Sequence, residues 1–270
     1  MVHMLSKKLT MPKLCDIFIM KGGINMKRVQ ILSSNALKLI GAVFMVCDHL
    51  GMIFFPNISA LRMIGRLTFP IFAFCIAQGT RYTKNRLKYF LLVLSLGIVC
   101  QIPLAIVAPS AYLNVLITFA LAIVICYALD YLKKALICDT VPHKIALGIL
   151  LLVLSVLAPM AICTVKRMEY GVLGCMMPAL ASLFYMPSDA PPSLKRLDTS
   201  YLHVLMLGVG TLCQAVFDGG KYQILALLSI PILLMYSGKR GRLKMKYFFY
   251  VFYPVHMVIL YGIYFLIQIS

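Results

Sequence analysis

The chain has 270 residues, of which 62% are hydrophobic and only 13% are charged, and this composition excludes a water-soluble globular protein. Because a helix needs about 20 apolar residues to cross a bilayer, the chain has room for about nine such helices and for no separate soluble domain. Its 26 lysines and arginines against 8 aspartates and glutamates would suggest a nucleic-acid partner in a soluble protein, whereas in a membrane protein the same excess marks cytoplasmic loops and predicts no nucleic acid.

Nine apolar segments, separated by polar, basic or proline-containing breaks, predict an all-α integral membrane protein built as a bundle of about nine transmembrane helices. The eighth segment is short and contains Pro231, so its assignment as a membrane span depends on the distribution of charged residues on either side of it. The nine segments are Leu37–Phe55, Leu61–Gly79, Tyr89–Val107, Leu113–Leu129, Ile145–Thr164, Tyr170–Met186, Tyr201–Phe217, Tyr222–Tyr236 and Tyr247–Ile267.

The basic residues predict the topology. With a cytoplasmic N-terminus, 21 of the 26 fall in cytoplasmic segments, and the external loops hold only Lys166, Arg167 and Lys221. Because lysine and arginine concentrate on the cytoplasmic side, this split favours nine spans and an external C-terminus. Without the eighth span, the basic run at 239–246 would lie outside.

The N-terminal residues predict no signal peptide. Residues 1–35 are expected to form a cytoplasmic segment ahead of a single transmembrane domain at 36–270. The first 25 residues lack a clean apolar core. Lys21-Gly22-Gly23 corresponds to purine-rich codons like those of a ribosome-binding sequence, and Met26 follows at a suitable spacing. We therefore hypothesise that the native chain starts at Met26 and that residues 1–25 are not translated.

Metal and disulfide chemistry is not indicated. Most of the nine cysteines lie inside apolar runs, and no two have C-x-x-C spacing. Neither a zinc site nor a disulfide framework has this pattern. The cysteines are therefore interpreted as small hydrophobic residues of packed helices, and no metal is predicted.

Ionisable residues within the apolar spans are the candidate functional residues, because burial in a membrane is costly. Asp48, His49, Arg62, Arg66 and His256 qualify. The first two spans are joined by a short loop, and His49 and Arg66 lie at a similar depth in them, so these side chains are expected to share one pocket. Adjacent residues diverge by about 100° on a helix, so Asp48 should pair with Arg62 or Arg66 while His49 faces a cavity. The net positive cluster suits an anionic or oxyanion-bearing ligand.

Two further spacings bear on this pocket. Lys38 precedes His49 by almost three helical turns, which places both on one face about 16.5 Å apart. An extended ligand with an anionic head at Lys38 and a reactive end at His49 fits that spacing; alternatively, Lys38 only extends to the membrane interface. His256 lies at a depth similar to that of His49, so the two histidines are candidates for acid and base, or His256 is a hydrogen-bonded structural residue.

Specific motifs lie at both ends of the chain. The first two spans contain three such elements: Lys38, then Met45-Val46-Cys47-Asp48-His49-Leu50-Gly51, and then Leu61-Arg62-Met63-Ile64-Gly65-Arg66-Leu67-Thr68-Phe69-Pro70. Tyr236-Ser237-Gly238-Lys239-Arg240-Gly241 and Tyr253-Pro254-Val255-His256 lie near the C-terminus, and weaker motifs, including Glu169-Tyr170-Gly171, lie between them. Together these motifs resemble the TraX family, the F-pilin acetylases, over nearly all of residues 36–265.

The resemblance implies an enzyme. The TraX family is similar to the membrane acyltransferase superfamily, in which a basic residue, ten further positions and an essential histidine recur in an early span, as Lys38 and His49 do here. It implies a multi-pass protein of the bacterial cytoplasmic (inner) membrane that moves an acyl group, usually acetyl from acetyl-CoA, to an acceptor amine or hydroxyl. A pilin N-terminus and a surface glycan are both compatible acceptors, and Glu169 and Ser237, which stand where the family pattern has Asp and Asn, put acceptor choice in doubt.

Roles for the site residues follow from this resemblance. His49 would act as general base or carry the acyl group covalently, with Asp48, Arg66 and His256 completing the catalytic group and Arg66 or Arg62 stabilising the oxyanion. External Glu169 and Asp218 either recruit a basic acceptor or are solvated. The residues expected to hold the phosphates of CoA are Lys38, Arg62, Lys239 and Arg240.

A transporter that uses Asp48, His49 and Arg66 as a buried polar relay is the alternative from another functional class. The sequence shows no inverted repeat and no paired broken helices. An odd number of spans also disfavours a simple two-fold design. Oligomeric state is not predicted.

Overall fold

The computed structural model describes residues 30–107, 112–217, 220–242 and 245–269. Within these ranges the chain is helical, and extended pairing is limited to two isolated β-bridges. Seven of the helices are long and apolar enough to cross a membrane, so the prediction of an all-helical, multi-pass membrane protein is confirmed. The predicted start at Met26 lies outside the described residues.

The helices follow the predicted segments in order. A single turn of π-helix at Ala135–Asp139 extends α5, and a 3₁₀ segment at Gln223–Leu228 leads into α10. The helices are α1 (Ser34–Ile53), α2 (Ser59–Gly65), α3 (Thr68–Tyr82), α4 (Arg86–Val107), α5 (Val115–Lys134), α6 (Pro142–Val165), α7 (Gly171–Ala181), α8 (Pro192–Lys195), α9 (Ser200–Phe217), α10 (Ser229–Leu234) and α11 (Lys246–Ile269).

The sixth and eighth predicted segments contain short helices. The segment Tyr170–Met186 contains only α7, of 11 residues, and Tyr222–Tyr236 contains the 3₁₀ segment and α10. Each holds an internal proline, Pro178 or Pro231, which removes a backbone hydrogen bond and favours a change of helix geometry. Apolar composition located these segments correctly but overestimated their helical length.

The segment that contains α7 nevertheless runs along the whole of α5. At the start of α5, the Thr118 hydroxyl donates to the Glu169 carbonyl at 2.8 Å. At its end, the Lys133 ammonium donates to the Tyr185 carbonyl at 2.6 Å. Residues 169–185 therefore connect the same two ends of the bundle as α5 does.

The segment that contains α10 connects the same two ends of the bundle as α1 does. Tyr222 Oη donates to Ser59 Oγ at 3.1 Å, just beyond the end of α1. Leu32 N, just before the start of α1, donates to the Met235 carbonyl at 2.8 Å. The chain thus alternates between two ends of the bundle, one near Ser34 and the other near Ser59.

Polar side chains fix the helix ends that matter for the site. Asn114 caps α5 by accepting from the Leu116 amide at 3.0 Å, as N-cap residues do. Its amide nitrogen also donates to the Gly97 carbonyl and to Gln101 Oε1, at 2.8 and 2.9 Å. These hydrogen bonds join α4 to the start of α5.

Helix α3 forms the centre of the bundle and α6 its periphery. Phe69, Ile71 and Phe74 of α3 are at most 2% exposed. In contrast, α6 exposes about half of the surface of aliphatic side chains such as Leu150 and Leu154, an arrangement that suits contact with lipid.

An ion-pair network at the Ser34 end was not predicted from the sequence. Both terminal nitrogens of Arg81 donate to the Asp198 carboxylate, at 2.7 and 2.8 Å. Asp198 also accepts from the Met186 amide at 3.1 Å, and its Oδ1 lies 3.1 Å from Nε2 of the buried His203. The network ties the long connection between α7 and α9 to the end of α3.

Candidate functional site

A cavity of about 720 Å³ extends through the bundle beside α1. Both Lys38 and His49 line it, so the expectation that they share a face of one helix is confirmed. Their separation of eleven positions corresponds to about 16.5 Å along the helix axis. Between these ends the wall is largely apolar and includes Phe72, Ile76 and Leu96. The cavity is therefore an elongated channel with chemically different ends.

The end nearest Ser34 is lined by four basic residues, Lys38, Lys84, Lys88 and Arg240, here called the basic mouth. Lys38 is half-buried, with Nζ 5.6 Å from the centroid of the Phe249 ring, so it is part of the wall and does not only extend to the interface. Sequence reasoning counted Lys84 and Lys88 only as topology charges. Lys84 lies two residues before α4 and Lys88 in its first turn, at the same end of the bundle as Lys38, and this shared end was the available signal.

Two residues predicted to bind the same ligand as Lys38 lie elsewhere. Lys239 is exposed and does not line the cavity, and its carbonyl accepts from the Ser34 amide at 2.8 Å. Arg62 lies at the opposite end of the bundle because α2 begins beside Ser59, far from Lys38. The structure therefore brings only Lys38 and Arg240 of that predicted group together.

Asp48 is paired with two arginines at the end of the large cavity that lies away from the basic mouth. Arg62 Nη1 lies 2.9 Å from Asp48 Oδ2 and also donates to the Asp48 carbonyl at 3.3 Å. Arg66 Nη2 lies 3.6 Å from Asp48 Oδ1. The predicted pairing of Asp48 with Arg62 or Arg66 is confirmed, and it involves both. One carboxylate against two guanidinium groups leaves this group of three net positive.

Gly65 allows α2 to approach Asp48 this closely. A Cβ atom at position 65 would lie 2.2 Å from Asp48 Oδ1 and 2.4 Å from its Cβ, well inside van der Waals contact. Since Gly65 is the last residue of α2, the two arginines that flank it in sequence are brought to either oxygen of the same carboxylate.

His49 and His256 are in direct contact. His256 Nε2 lies 3.2 Å from His49 Nδ1, and His256 Nδ1 lies 2.9 Å from the Phe252 carbonyl. Because a carbonyl only accepts, His256 Nδ1 carries a proton, and a neutral His256 then accepts at Nε2 from His49 Nδ1–H. This assignment from the hydrogen-bond partners leaves the lone pair of neutral His49 at Nε2. The contact favours a partnership of the two histidines over an isolated structural role for His256.

Glu169 lies in the turn before α7, and its side chain also lines the large cavity. Its side chain is accessible from the cavity but enclosed by surrounding protein, and Oε2 accepts from the Val115 amide at 3.0 Å. Burial, together with the negative charge of Asp48, raises the pKa of Glu169 to about 7. Sequence reasoning treated Glu169 as an acceptor-recruiting or solvated residue, and Asp218, its proposed companion, lies outside the described residues.

A second cavity, of about 260 Å³, lies on the other side of the Asp48 ion pairs. It is lined by Arg62, Arg66, Gly220, Lys221, Tyr222 and Gln223, and we call it the small cavity. Asp48 lines the large cavity while both of its partners line the small one. The ion pairs therefore stand between two cavities that approach each other from opposite ends of the bundle.

Comparisons with known proteins identify a matching family and one similar protein. A family model described as "TraX protein" matches residues 33–264. A protein of Dichelobacter nodosus described as "Probable fimbrial assembly protein FimC, serogroup H1" is 26% identical over 247 residues, which cover 84% of this chain and 94% of that protein. No solved structure matches this chain significantly.

Proposed function

The chain belongs to the TraX family, and on that basis we propose that it is a membrane-embedded acyltransferase that moves an acetyl group from acetyl-CoA to an acceptor amine or hydroxyl. The observation that carries the proposal is the large cavity, which joins the basic mouth to the His49–His256 pair. The similar protein's description as a fimbrial assembly protein supports a pilin as acceptor, while a surface glycan has the same reactive chemistry.

The residues of the large cavity fit acetyl-CoA. Lys38, Lys84, Lys88 and Arg240 would bind its phosphates, because clustered cations favour phosphate oxygens. The apolar wall near Phe72 and Ile76 suits the acyl-bearing arm, whose end would lie near His49. A nine-pass topology with a cytoplasmic N-terminus and an external C-terminus places the basic mouth on the cytoplasmic side, where acyl-CoA is made.

His49 acts as the general base in this proposal. Its Nε2 takes the proton of the acceptor amine or hydroxyl as the acceptor nitrogen or oxygen bonds to the thioester carbonyl carbon. The C–S bond then breaks, and His49 passes the proton to the departing CoA sulfur. His256 is a positioning residue that holds the His49 tautomer, and the net positive Asp48–Arg62–Arg66 group stabilises the negative charge that develops on the carbonyl oxygen.

The first experiment is to replace His49 with Ala in the purified protein and measure release of the CoA thiol from acetyl-CoA. We expect a loss of about a hundredfold or more, the usual effect of removing a general base. His143, exposed at the start of α6, gives the matched control His143→Ala, which should retain full activity. Unchanged thiol release by His49→Ala would contradict the enzymatic proposal.

A transporter is the second candidate, because the Asp48 ion pairs separate two cavities as a gate would. A transporter moves a solute across proteoliposomes without cleaving a thioester. Uptake of labelled acetyl-CoA or acetate without thiol release would favour it, whereas thiol release that depends on His49 would favour the acyltransferase.

A further inference from the structure

The small cavity has the chemistry of an anion-binding site. Three cations, Arg62, Arg66 and Lys221, line it. Gln223 also lines it and is only 2% exposed, and its Nε2 has no hydrogen-bond partner among the described residues. A buried amide donor without an acceptor is costly, so a ligand that accepts hydrogen bonds would be stabilised here.

The charge balance of this region also favours an anion. Asp48 is the carboxylate that contacts the arginines, and it uses Nη1 of Arg62 and Nη2 of Arg66. Each guanidinium has five N–H donors, so most of them remain for another partner. Among the described residues, Glu169 is the other carboxyl whose charge acts on these arginines, and with these two carboxylates ionised the three cations still exceed the negative charges.

The position of the small cavity connects it to the acceptor. It lies at the end of the bundle opposite the basic mouth, and the Asp48 ion pairs lie between it and the cavity that His49 lines. An acceptor that approaches His49 from this end meets three cations, which repel an amine unless a neighbouring negative charge compensates. Planar guanidinium groups bind carboxylate and phosphate oxygens in a bidentate manner.

We propose that the small cavity is the acceptor subsite and selects acceptors that carry an anionic group, a carboxylate or a phosphate, next to the amine or hydroxyl that is acylated. The inference rests on the proposed function, because it names the acceptor class of the same site. It also differs from the sequence expectation that acidic loop residues recruit a basic acceptor, since Glu169 lies in the large cavity.

The test uses matched acceptors that differ in one charge. They are the C-terminally amidated peptides Gly-Glu-Gly and Gly-Gln-Gly, methyl glucuronoside and methyl glucoside, and methyl glucoside 6-phosphate. The full-length protein in detergent is supplied with acetyl-CoA, and acceptor-dependent release of the CoA thiol is measured. We expect the KM for an anionic acceptor to be about tenfold lower than that for its neutral partner. The peptide, glucuronoside and phosphate results show which anion and which nucleophile are used.

Lys221→Gln tests the cavity without changing the Asp48 ion pairs. It should raise the KM for the anionic acceptor about tenfold and leave the KM for the neutral acceptor and for acetyl-CoA unchanged. Lys166→Gln removes another cation near the same end that does not line the small cavity, and it should have no effect. Equal KM values for anionic and neutral acceptors in the wild type would overturn the proposal, as would equal effects of the two substitutions.

A binding experiment separates this inference from the proposed function. The binding of Gly-Glu-Gly in the absence of acetyl-CoA is measured as a shift in the thermal unfolding temperature of the protein. Stabilisation that is lost in Lys221→Gln, with no acetyl transfer to any acceptor, would support the anion site and reject the acyltransferase. Transfer to neutral and anionic acceptors alike, with no Lys221-dependent stabilisation, would support the acyltransferase and reject the anion site.

Discussion

Nε2 of His256 lies 3.2 Å from Nδ1 of His49, although 207 residues separate them in the chain. The contact joins the first and last described long helices, α1 and α11. Because His256 Nδ1 is already bound to the Phe252 carbonyl at 2.9 Å, the pair has one consistent arrangement of protons when both rings are neutral. The lone pair needed for a general base then lies on His49 Nε2.

Replacing His256 with Phe should lower kcat about tenfold or more while leaving the KM for acetyl-CoA unchanged. The substitution removes the acceptor for His49 Nδ1–H, so His49 is no longer held in one tautomer. The measurement is the steady-state rate of CoA thiol release. In His256→Gln, the side chain can still accept a hydrogen bond from His49 Nδ1–H, so this variant should retain part of the rate that His256→Phe loses. An equal loss in the Phe and Gln variants would show that His256 contributes packing only.

Gly65→Ala should destabilise the protein by about 1–3 kcal/mol, as overpacked substitutions do. The new Cβ would lie 2.2 Å from Asp48 Oδ1, so α2 must move and the contacts of Asp48 with Arg62 and Arg66 must lengthen. Thermal unfolding in detergent measures the effect. Gly262→Ala in α11 is the matched control, because its Cβ would meet nothing within 4 Å, and it should be neutral or slightly stabilising. Similar unfolding temperatures for the two variants would contradict the close packing of α2 on Asp48.

Glu169 predicts a pH-dependent stability. Its pKa is about 7 in the folded protein, against an ordinary value of 4.5, so between these pH values the unfolded chain has released a proton that the folded protein retains. Stability should therefore fall as the pH rises from 4.5 to about 7. Glu169→Gln removes this titration, so the unfolding temperature of the wild type relative to the variant should decrease over that range. A constant difference between the two curves would contradict the raised pKa.

The double substitution Lys84→Gln and Lys88→Gln should raise the KM for acetyl-CoA by about tenfold or more, because two of the charges proposed to bind its phosphates are lost. S-Acetylpantetheine, which lacks the phosphates, should be used equally well by the variant and the wild type. Lys134→Gln removes an exposed cation at the same end of the bundle that does not line the cavity, and it should leave the KM unchanged. A proportional loss with both thioesters would indicate that these lysines do not bind phosphate.

The sequence was sufficient to locate the helices but not their lengths. Apolar segments near 20 residues are recognisable because the bilayer sets their length. In the segments that contain α7 and α10, the same apolar composition gives short helices and turns, because hydropathy does not report the local backbone geometry that ends a helix.

The site was predictable where chain connectivity limits the geometry. Asp48 and the arginines lie on helices joined by a short loop, so depth along the two helices was enough to pair them. The contact of His256 depends on which helix packs beside α1, and depth alone left that open. The cavity-lining position of Glu169 was not predicted, because the sequence marks it as a loop residue and does not show that the loop faces the cavity.

The Asp48 ion pairs have a consequence for the membrane itself. Water and ions that enter the large cavity from one face and the small cavity from the other would meet at this group of three side chains. A continuous aqueous path at this point would conduct protons and dissipate the electrochemical gradient of the cell. In the proposed acyltransferase, closure of that path by Asp48, Arg62 and Arg66 would let reactants approach from both faces while the membrane keeps its electrical insulation.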